Sequence, residues 1–547
     1  GGGENGATGI WNFGQKPFKF PPPDGFKPLN LANTRPETVI SRPDRFVNVS
    51  TWTGNNGTQS LTGMLFKPDL FWSKSRTTTW NNGLFDTVRG TNVHLRTDTD
   101  AAEYTPASPN FSITSYNSDG VTFGPDGASA TVNYSGNYVG WAWKAGGNKN
   151  TFNVDDVGYA SASDVNMNVG GLNSSLFNQS QTWSNSLSIS GSWDSGGVVP
   201  ANAFDGSLAT NARAMGQNQQ ITFDISSSPL SFTDKVEFYH TTFGMDVSVN
   251  GGTVIGNPAV NEFVTLASGG GTLNTITFVN ANAKSEVTAI RVDGKLLVDP
   301  GINLPTIANT GASVGTKQGF SIIGYNGTGA NATVNHGLEQ APELLIVKSR
   351  DSAFTDDWRT YHVGLTATNR YVQLWDNAAE EVSTTTWNNL APTNSVFNIG
   401  TEDAVNKSGD KFIAYLWHSV PGLQKFGSFE GNQNANGPYV ELGFRPAIVW
   451  IKCIDNYDPP YDWHIYDNLR QTINPNDKFL CANLNNAENY NSSSGSSDNT
   501  RYVDFLSNGF KVRTASTAIN LNVHTFIYCA WAAAPTVNLF GGQSNAR

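Results

Sequence analysis

Histidines, paired carboxylates, acid–arginine pairs and tryptophans are the side chains whose types and spacing could do chemistry in this chain. The seven histidines, His94, His240, His336, His362, His418, His464 and His524, are scattered. None forms an HExxH or similar pair that would hold a metal. No G-x-S-x-G elbow or phosphate loop stands in a strand–turn–helix setting. Carboxylates adjoin at Asp155-Asp156, Asp356-Asp357 and Glu380-Glu381. Adjacency does not make the roughly 5–10 Å cross-cleft separation that glycoside hydrolysis needs. Asp86/Arg89 and Asp467/Arg470 have the spacing of an ion pair closing a turn and read as structural. We expect no catalytic residue, no metal and no cofactor; the chain does not read as an enzyme.

The tryptophans leave one kind of chemistry open, which is recognition. There are 15, and Trp141, Trp143, Trp417 and Trp531 lie in apolar segments that read as core. Trp52, Trp80, Trp183, Trp193 and Trp387 stand in polar, turn-like settings instead. Rings beside Asn, Asp and Thr can stack on a pyranose face while amides orient its hydroxyls. Trp80, Trp193 and Trp387 are the ring candidates, two of them in a repeated TTTWNN at 77–82 and 384–389.

The elements that must position these residues are strands. Charged residues make up 14% of the chain and aromatics 12%, with 55 glycines. Such a balance, with few charges, many strand-forming residues and frequent Gly/Asn turns, points to an all-β protein of several domains. A net charge of −11 without a Lys/Arg cluster argues against a nucleic-acid partner. No apolar run approaches the length of a membrane span. Cys453, Cys481 and Cys529, an odd number with no metal-like spacing, read as buried or free thiols rather than a disulfide scaffold, which suits assembly in a reducing cytoplasm. The opening GGGENG carries neither a methionine nor a signal peptide, so a preceding part is expected.

One stretch occurs three times: GMLFKPDLFWSKSR (63–76), GLEQAPELLIVKSR (337–350) and ELGFRPAIVWIKCI (441–454). Each runs from a proline to a lysine six residues on: Pro68 to Lys74, Pro342 to Lys348, Pro446 to Lys452. This reads as a buried strand with a cationic exit; the lysines are expected to snorkel or to pair with Asp86 and Asp467. Phe46 and Phe320 both precede the proline by 22 residues. FDTVR (85–89) matches YDNLR (466–470), whereas the second copy offers only YHVGL (361–365). Each copy closes on an aromatic strand: YVGWAWKAGG (138–147), FIAYLWHSVPG (412–422) and FIYCAWAAAP (526–535).

The resulting map has β-repeat units at 46–149, 317–423 and 424–536, an insert at 150–316 and a tail at 537–547. The short connector at Pro421-Gly422 favours units stacked into an elongated array. WNFGQKPF (11–18), within residues 1–45, resembles the closing strands of SPRY-type, concanavalin-like sandwiches; a proline-rich linker is the other reading. The insert, with Phe204-Asp205-Gly206 before alternating strands, resembles a discoidin-type, galactose-binding-like jelly roll. That resemblance implies a sugar or lipid-head site in loops at one end, sometimes with calcium, and puts Asp205 near them. Read locally, Asp205 is an Asx turn closing a strand.

Taken together, the repeated strands, the aromatic-D-x-x-R segments, the YVGWAWKAGG closing and WNFGQKPF resemble structural proteins of marine tailed phages, notably those infecting cyanobacteria. The resemblance implies a virion protein, most simply a tail fibre attaching to host surface glycan or protein. Its partners would be other tail proteins and copies of itself, with a homotrimer favoured. Alternatives are a purely structural capsid-decorating or tail-adaptor protein and, third, a polysaccharide depolymerase.

Overall fold

The computed structural model describes residues 39–106, 112–125, 131–165, 167, 176–177, 181–195, 198–299, 305–351, 358–455, 461–488, 501–537 and 543–544. The segment WNFGQKPF lies outside them. All three proline-to-lysine runs are strands, Leu70–Ser75, Leu344–Ser349 and Pro446–Cys453, and each is buried along its whole length. Their neighbours repeat as well. An entry strand (Val47–Gly54, Phe320–Asn326, Gln424–Glu430) pairs with the closing strand (Gly136–Trp143, Lys411–Trp417, Thr525–Ala532). The closing strand pairs with the lysine strand, and a fourth strand (Gly83–Asp86, Arg359–His362, His464–Asp467) follows on its far side.

Period-two alternation explains why these strands are apolar on both faces. One face packs within its own unit: Phe71, Tyr138 and Ala142 in the first, Leu345, Val347 and Leu416 in the second, Val449, Ile451 and Phe526 in the third. The other face enters a single core shared by all three units, with Leu70, Trp72, Trp141 and Trp143 from the first, Leu344, Ile346 and Trp417 from the second, and Ile448, Trp450 and Trp531 from the third. Trp143, Trp417 and Trp531 each touch the other two, with centroids 5.3–6.3 Å apart and edge-to-face rings.

The units therefore do not stack in a row, as the short connector suggested. A row would leave the second apolar face of each terminal unit open to water, and closing three units on one another covers all of them. The all-β, multi-sandwich class stands. Tight hairpins turn at Asp119-Gly120 and Asn508-Gly509, pairing Ile113–Asn117 with Gly120–Phe123 and Val503–Leu506 with Gly509–Val512.

Alternation also places each lysine on the shared-core face, so none snorkels and none pairs with Asp86 or Asp467. Lys74, Lys348 and Lys452 are 0–1% exposed, and each reaches the next unit. Lys74 Nζ donates to Asn82 Oδ1 at 2.7 Å and to the Leu484 carbonyl of the third unit. Lys348 donates to the Asp100 carbonyl of the first, at 3.3 Å, and Lys452 to the Asn377 carbonyl of the second, at 2.9 Å. Backbone bonds follow the same cycle: Glu488 N–H to Arg76 O, Glu103 N–H to Arg350 O and Glu380 N–H to Ile454 O, at 2.8–2.9 Å. Burial lowers Lys74 and Lys452 to about 8, because water no longer stabilises the ammonium.

The insert folds apart from this body on its own core, which includes Trp183, Phe204, Phe223, Phe238 and Phe278. Two five-stranded sheets form a sandwich within 176–297. It is narrower than the sequence map. Phe152–Val154, Val157–Tyr159 and Asn309–Gly315 join the nine-stranded sheet of the second unit, where Phe152–Val154 pairs in parallel with Asn309–Gly315. Apolar residues such as Phe152, Ala312 and Val314 complete that unit's core.

Candidate functional site: the rim of the inserted sandwich

Of the four residues singled out as ligand-binding, two lie on the insert and two on the body. Trp387 is 1% exposed and donates its indole N–H to the Arg370 carbonyl at 3.1 Å. It is a core residue, because the Thr-rich segment around it turns inward over Tyr361, and it offers no ring face to a ligand. Trp80 is 36% exposed and packs edge-on against Tyr134 at 5.3 Å. The repeated TTTWNN therefore serves two different settings.

Asp205 makes the local turn that its position suggested. Its carboxylate accepts from Ser207 N–H at 2.8 Å and from the Thr210 hydroxyl at 2.6 Å. Trp193 is half-buried against the insert's core and bridges to Ala214. These two residues belong to loops that meet further segments at one rim of the sandwich. Asn211 Nδ2 donates to Glu286 at 3.3 Å, and the other oxygen of Glu286 accepts from Thr241 N–H and hydroxyl, both at 2.6 Å. Glu286 is 1% exposed, so a buried carboxylate holds the 205–211 loop and the 241–244 loop together.

The tip of the second loop is Phe243, a phenylalanine that is 70% exposed. It stands out because a ring of this size loses favourable burial free energy by remaining in water. Asn280 holds it there: the amide donates to the Phe243 carbonyl at 2.8 Å, while Asn280 Oδ1 accepts from Asn282 and Ala283 N–H. Gln217 reaches the Asn282 carbonyl at 2.9 Å. Next along, Asp194 pairs with Lys284 at 2.7 Å and with Arg213 at 2.9 Å. The hydrogen bonds from Lys284 and then Arg213 hold the Asp194 carboxyl below its ordinary range. The rim thus presents one exposed ring, amides and a charged trio on a fixed framework. That set can stack on a sugar and orient hydroxyls. Phe243 and Glu286 escaped the sequence reading, which weighed tryptophans; the short hydrophobic tip before Gly244 was the available signal.

On the body the two acid–arginine pairs are closed on themselves. Arg89 Nε meets Asp86 at 2.5 Å and Arg470 Nε meets Asp467 at 2.5 Å, with every side chain fully buried. These are structural pairs, as their spacing suggested. Burial lowers His94 and His336 to about 3 and His362 to about 4. Among the described residues no group of three or more His, Cys, Asp or Glu side chains is placed to hold a metal, and no helix is long and apolar enough to cross a membrane.

Comparison with solved structures returns low-similarity neighbours. The CBM32 domain of AlyQ in complex with 4,5-unsaturated mannuronic acid is 20% identical, covering 19% of this chain and 92% of its own, at a TM-score of 0.16. Truncated AlyQ with CBM32 and alginate lyase domains is 13% identical over 63% of this chain and 95% of its own, at 0.15. Arabinofuranosyltransferase AftD from Mycobacteria is 8% identical over 63% and 35%, at 0.17. The fold assignment rests on the strand pairing above. No curated protein matches. A family model described as a domain of unknown function, DUF7483, matches residues 42–170 and 303–535, the three units of the body without the inserted sandwich. More than half of the chain is matched, and the chain belongs to the DUF7483 family.

Proposed function

We propose that this protein is a binding component of a virion surface, a tail fibre that attaches the particle to host glycan through the rim of its inserted sandwich. The observation that carries the reading is Phe243, held out in solvent by Asn280 among amides and charged groups. The closed body agrees with it, because Asp467 and Asp86, each paired with its own arginine, also accept a hydrogen bond from Trp141 and Tyr415 across a seam between units. On this reading the protein does not turn over substrate and needs no cofactor. It assembles in the host cytoplasm, which suits three buried free thiols, and several copies, three being favoured, would multiply weak sites into firm attachment. Nucleic acid and membrane insertion have no part in it.

The test is adsorption of the labelled full-length protein to host cells, with cells stripped of surface polysaccharide as the control. Adsorption that disappears with the glycan, and weakens about tenfold in Phe243→Ala through lost stacking, is the expected result. Undiminished binding by Phe243→Ala would remove the rim from the argument. A correctly folded protein that adsorbs to no cell would favour the second reading, a capsid-decorating or tail-adaptor component, for which the interlocked body is well suited. Release of oligosaccharide from the glycan would favour the third, a depolymerase.

A further inference from the structure

A second site lies on the body, where the first and second units meet, and does not depend on the rim. There a cleft of roughly 550 Å³ opens to solvent, within the range of small-ligand sites. Gln318 crosses its base, donating to the Ala145 carbonyl at 2.7 Å, which fixes the second unit against the first.

Four cations line this cleft, Arg45, Lys67, Lys144 and Lys317, against two carboxylates, Asp155 and Asp156. Lys144 is neutralised by Asp156 at 2.7 Å. Asp155 is held by Thr316, its oxygens accepting from the Thr316 N–H at 3.0 Å and from the Thr316 hydroxyl at 2.6 Å. Arg45, Lys67 and Lys317 make no ion pair among the described residues. Asp155 keeps its own charge, so four cations against two carboxylates leave the cleft two positive charges in excess; like charges so gathered repel one another, and in a chain of net charge −11 their convergence is not a consequence of composition. An entering anion would relieve that repulsion.

Apart from Ser118 and Gln318 the remaining wall is apolar. Phe46 is half-buried, and Leu65 leaves 56% of its surface in water beside it. An apolar wall facing a cationic one suits a ligand with a flat carbon face and an acidic substituent. We infer that this cleft binds an acidic glycan unit, a sugar bearing a carboxylate or a sulfate, with Arg45, Lys67 and Lys317 on the charged group and Phe46 and Leu65 against the ring.

Calorimetric titration of the full-length protein tests this with a galacturonate trisaccharide, a chondroitin-sulfate tetrasaccharide and neutral maltotriose as probes. At least one acidic probe is expected to bind, more weakly as salt is raised, with maltotriose silent. Which acidic probe binds separates carboxylate from sulfate. Lys67→Ala and Lys317→Ala should each weaken binding about tenfold through loss of a charge-assisted contact, while Lys67→Arg retains it. These positions are at the surface, so melting temperatures should hold. Phe243→Ala should change nothing here, which separates this site from the rim. The inference is overturned if neither acidic probe binds, if maltotriose binds equally well, or if both alanine variants bind undiminished.

Discussion

Trp141 of the first unit donates its indole N–H to Asp467 of the third at 3.1 Å, across 326 residues of chain. The same relationship recurs one seam on, where the Tyr415 hydroxyl of the second unit donates to Asp86 of the first at 2.7 Å. Trp141, Tyr415 and Cys529 hold the same position, two residues before Trp143, Trp417 and Trp531. The thiol of Cys529 is too short to do the work of a ring donor. At that seam the acid is replaced by His362, whose Nε2 donates to the Tyr528 carbonyl at 3.1 Å, while Nδ1 accepts from Gly364 N–H at 2.9 Å. A neutral imidazole satisfies both bonds, in keeping with its low pKa.

The buried pairs should behave asymmetrically on mutation. Asp467→Ala leaves Arg470 buried without its main partner and is expected to cost about 3–5 kcal/mol. Asp467→Ala with Arg470→Leu removes both charges and should recover much of that loss. Denaturant midpoints of the single and double variants check this. A double variant no more stable than the single would argue that the pair is not the element being broken.

Heating should resolve two cooperative events. The body shares one core, whereas the insert has its own, so calorimetry is expected to show the insert and the body melting separately. Trp143→Ala, at the meeting point of three units, should destabilise the body by about 3–5 kcal/mol and leave the insert's transition in place. Separate melting of each unit would contradict a shared core.

Acid should unfold the body early. His94, His336 and His362 are held neutral by burial, with folded values of about 3, 3 and 4 against an ordinary 6.5. The folded state therefore binds fewer protons than the unfolded state below pH 6.5. Their stabilising contribution is complete above 6.5 and is lost as the pH falls toward 3–4, at up to about 1.4 kcal/mol per pH unit for each histidine. Asp69 acts in the opposite sense. Burial raises it from 3.8 to about 6, so its contribution is complete below 3.8 and fades as the pH rises through 6. Stability measured between pH 7 and 4 should fall, and replacing His336 by Gln should flatten the slope.

The thiols should report on opening of the body. Burial pushes Cys453 up to about 11, and Cys481 and Cys529 are also raised by it, so little thiolate forms near neutrality. A thiol-specific chromogenic reagent is expected to label none of them in native buffer and all three after denaturation. Labelling within minutes in native buffer would show that the core opens freely.

Much of this architecture was legible in the sequence, and the part that was not has a common cause. The run from Pro68 to Lys74 and the closing segment 138–147 read as strands, and strands are found at Leu70–Ser75 and Gly136–Trp143, because apolar runs with fixed neighbours encode strands locally. The three-residue spacing of Asp86 and Arg89 likewise disclosed their pairing. Which face of Lys74 or Trp143 looks outward from its unit is not local information. Alternation gives two faces but does not say that both will be covered, so closure around a shared core could not be read from one repeat. Glu286 and Asn280 were missed for the same reason: each acts on a loop about 40 residues away in sequence.

The three seams also differ in a way that a single chain alone permits. An assembly of three identical subunits must carry one choice of residue at every seam, and any exchange is made three times at once. Here each seam can differ by itself, and one carries the neutral ring of His362 where the other two carry a buried acid–arginine pair. Drift in such a protein should proceed by coupled exchanges confined to one seam, 141 with 467, 415 with 86, or 529 with 362. The other two seams keep the body closed while the third is rebuilt.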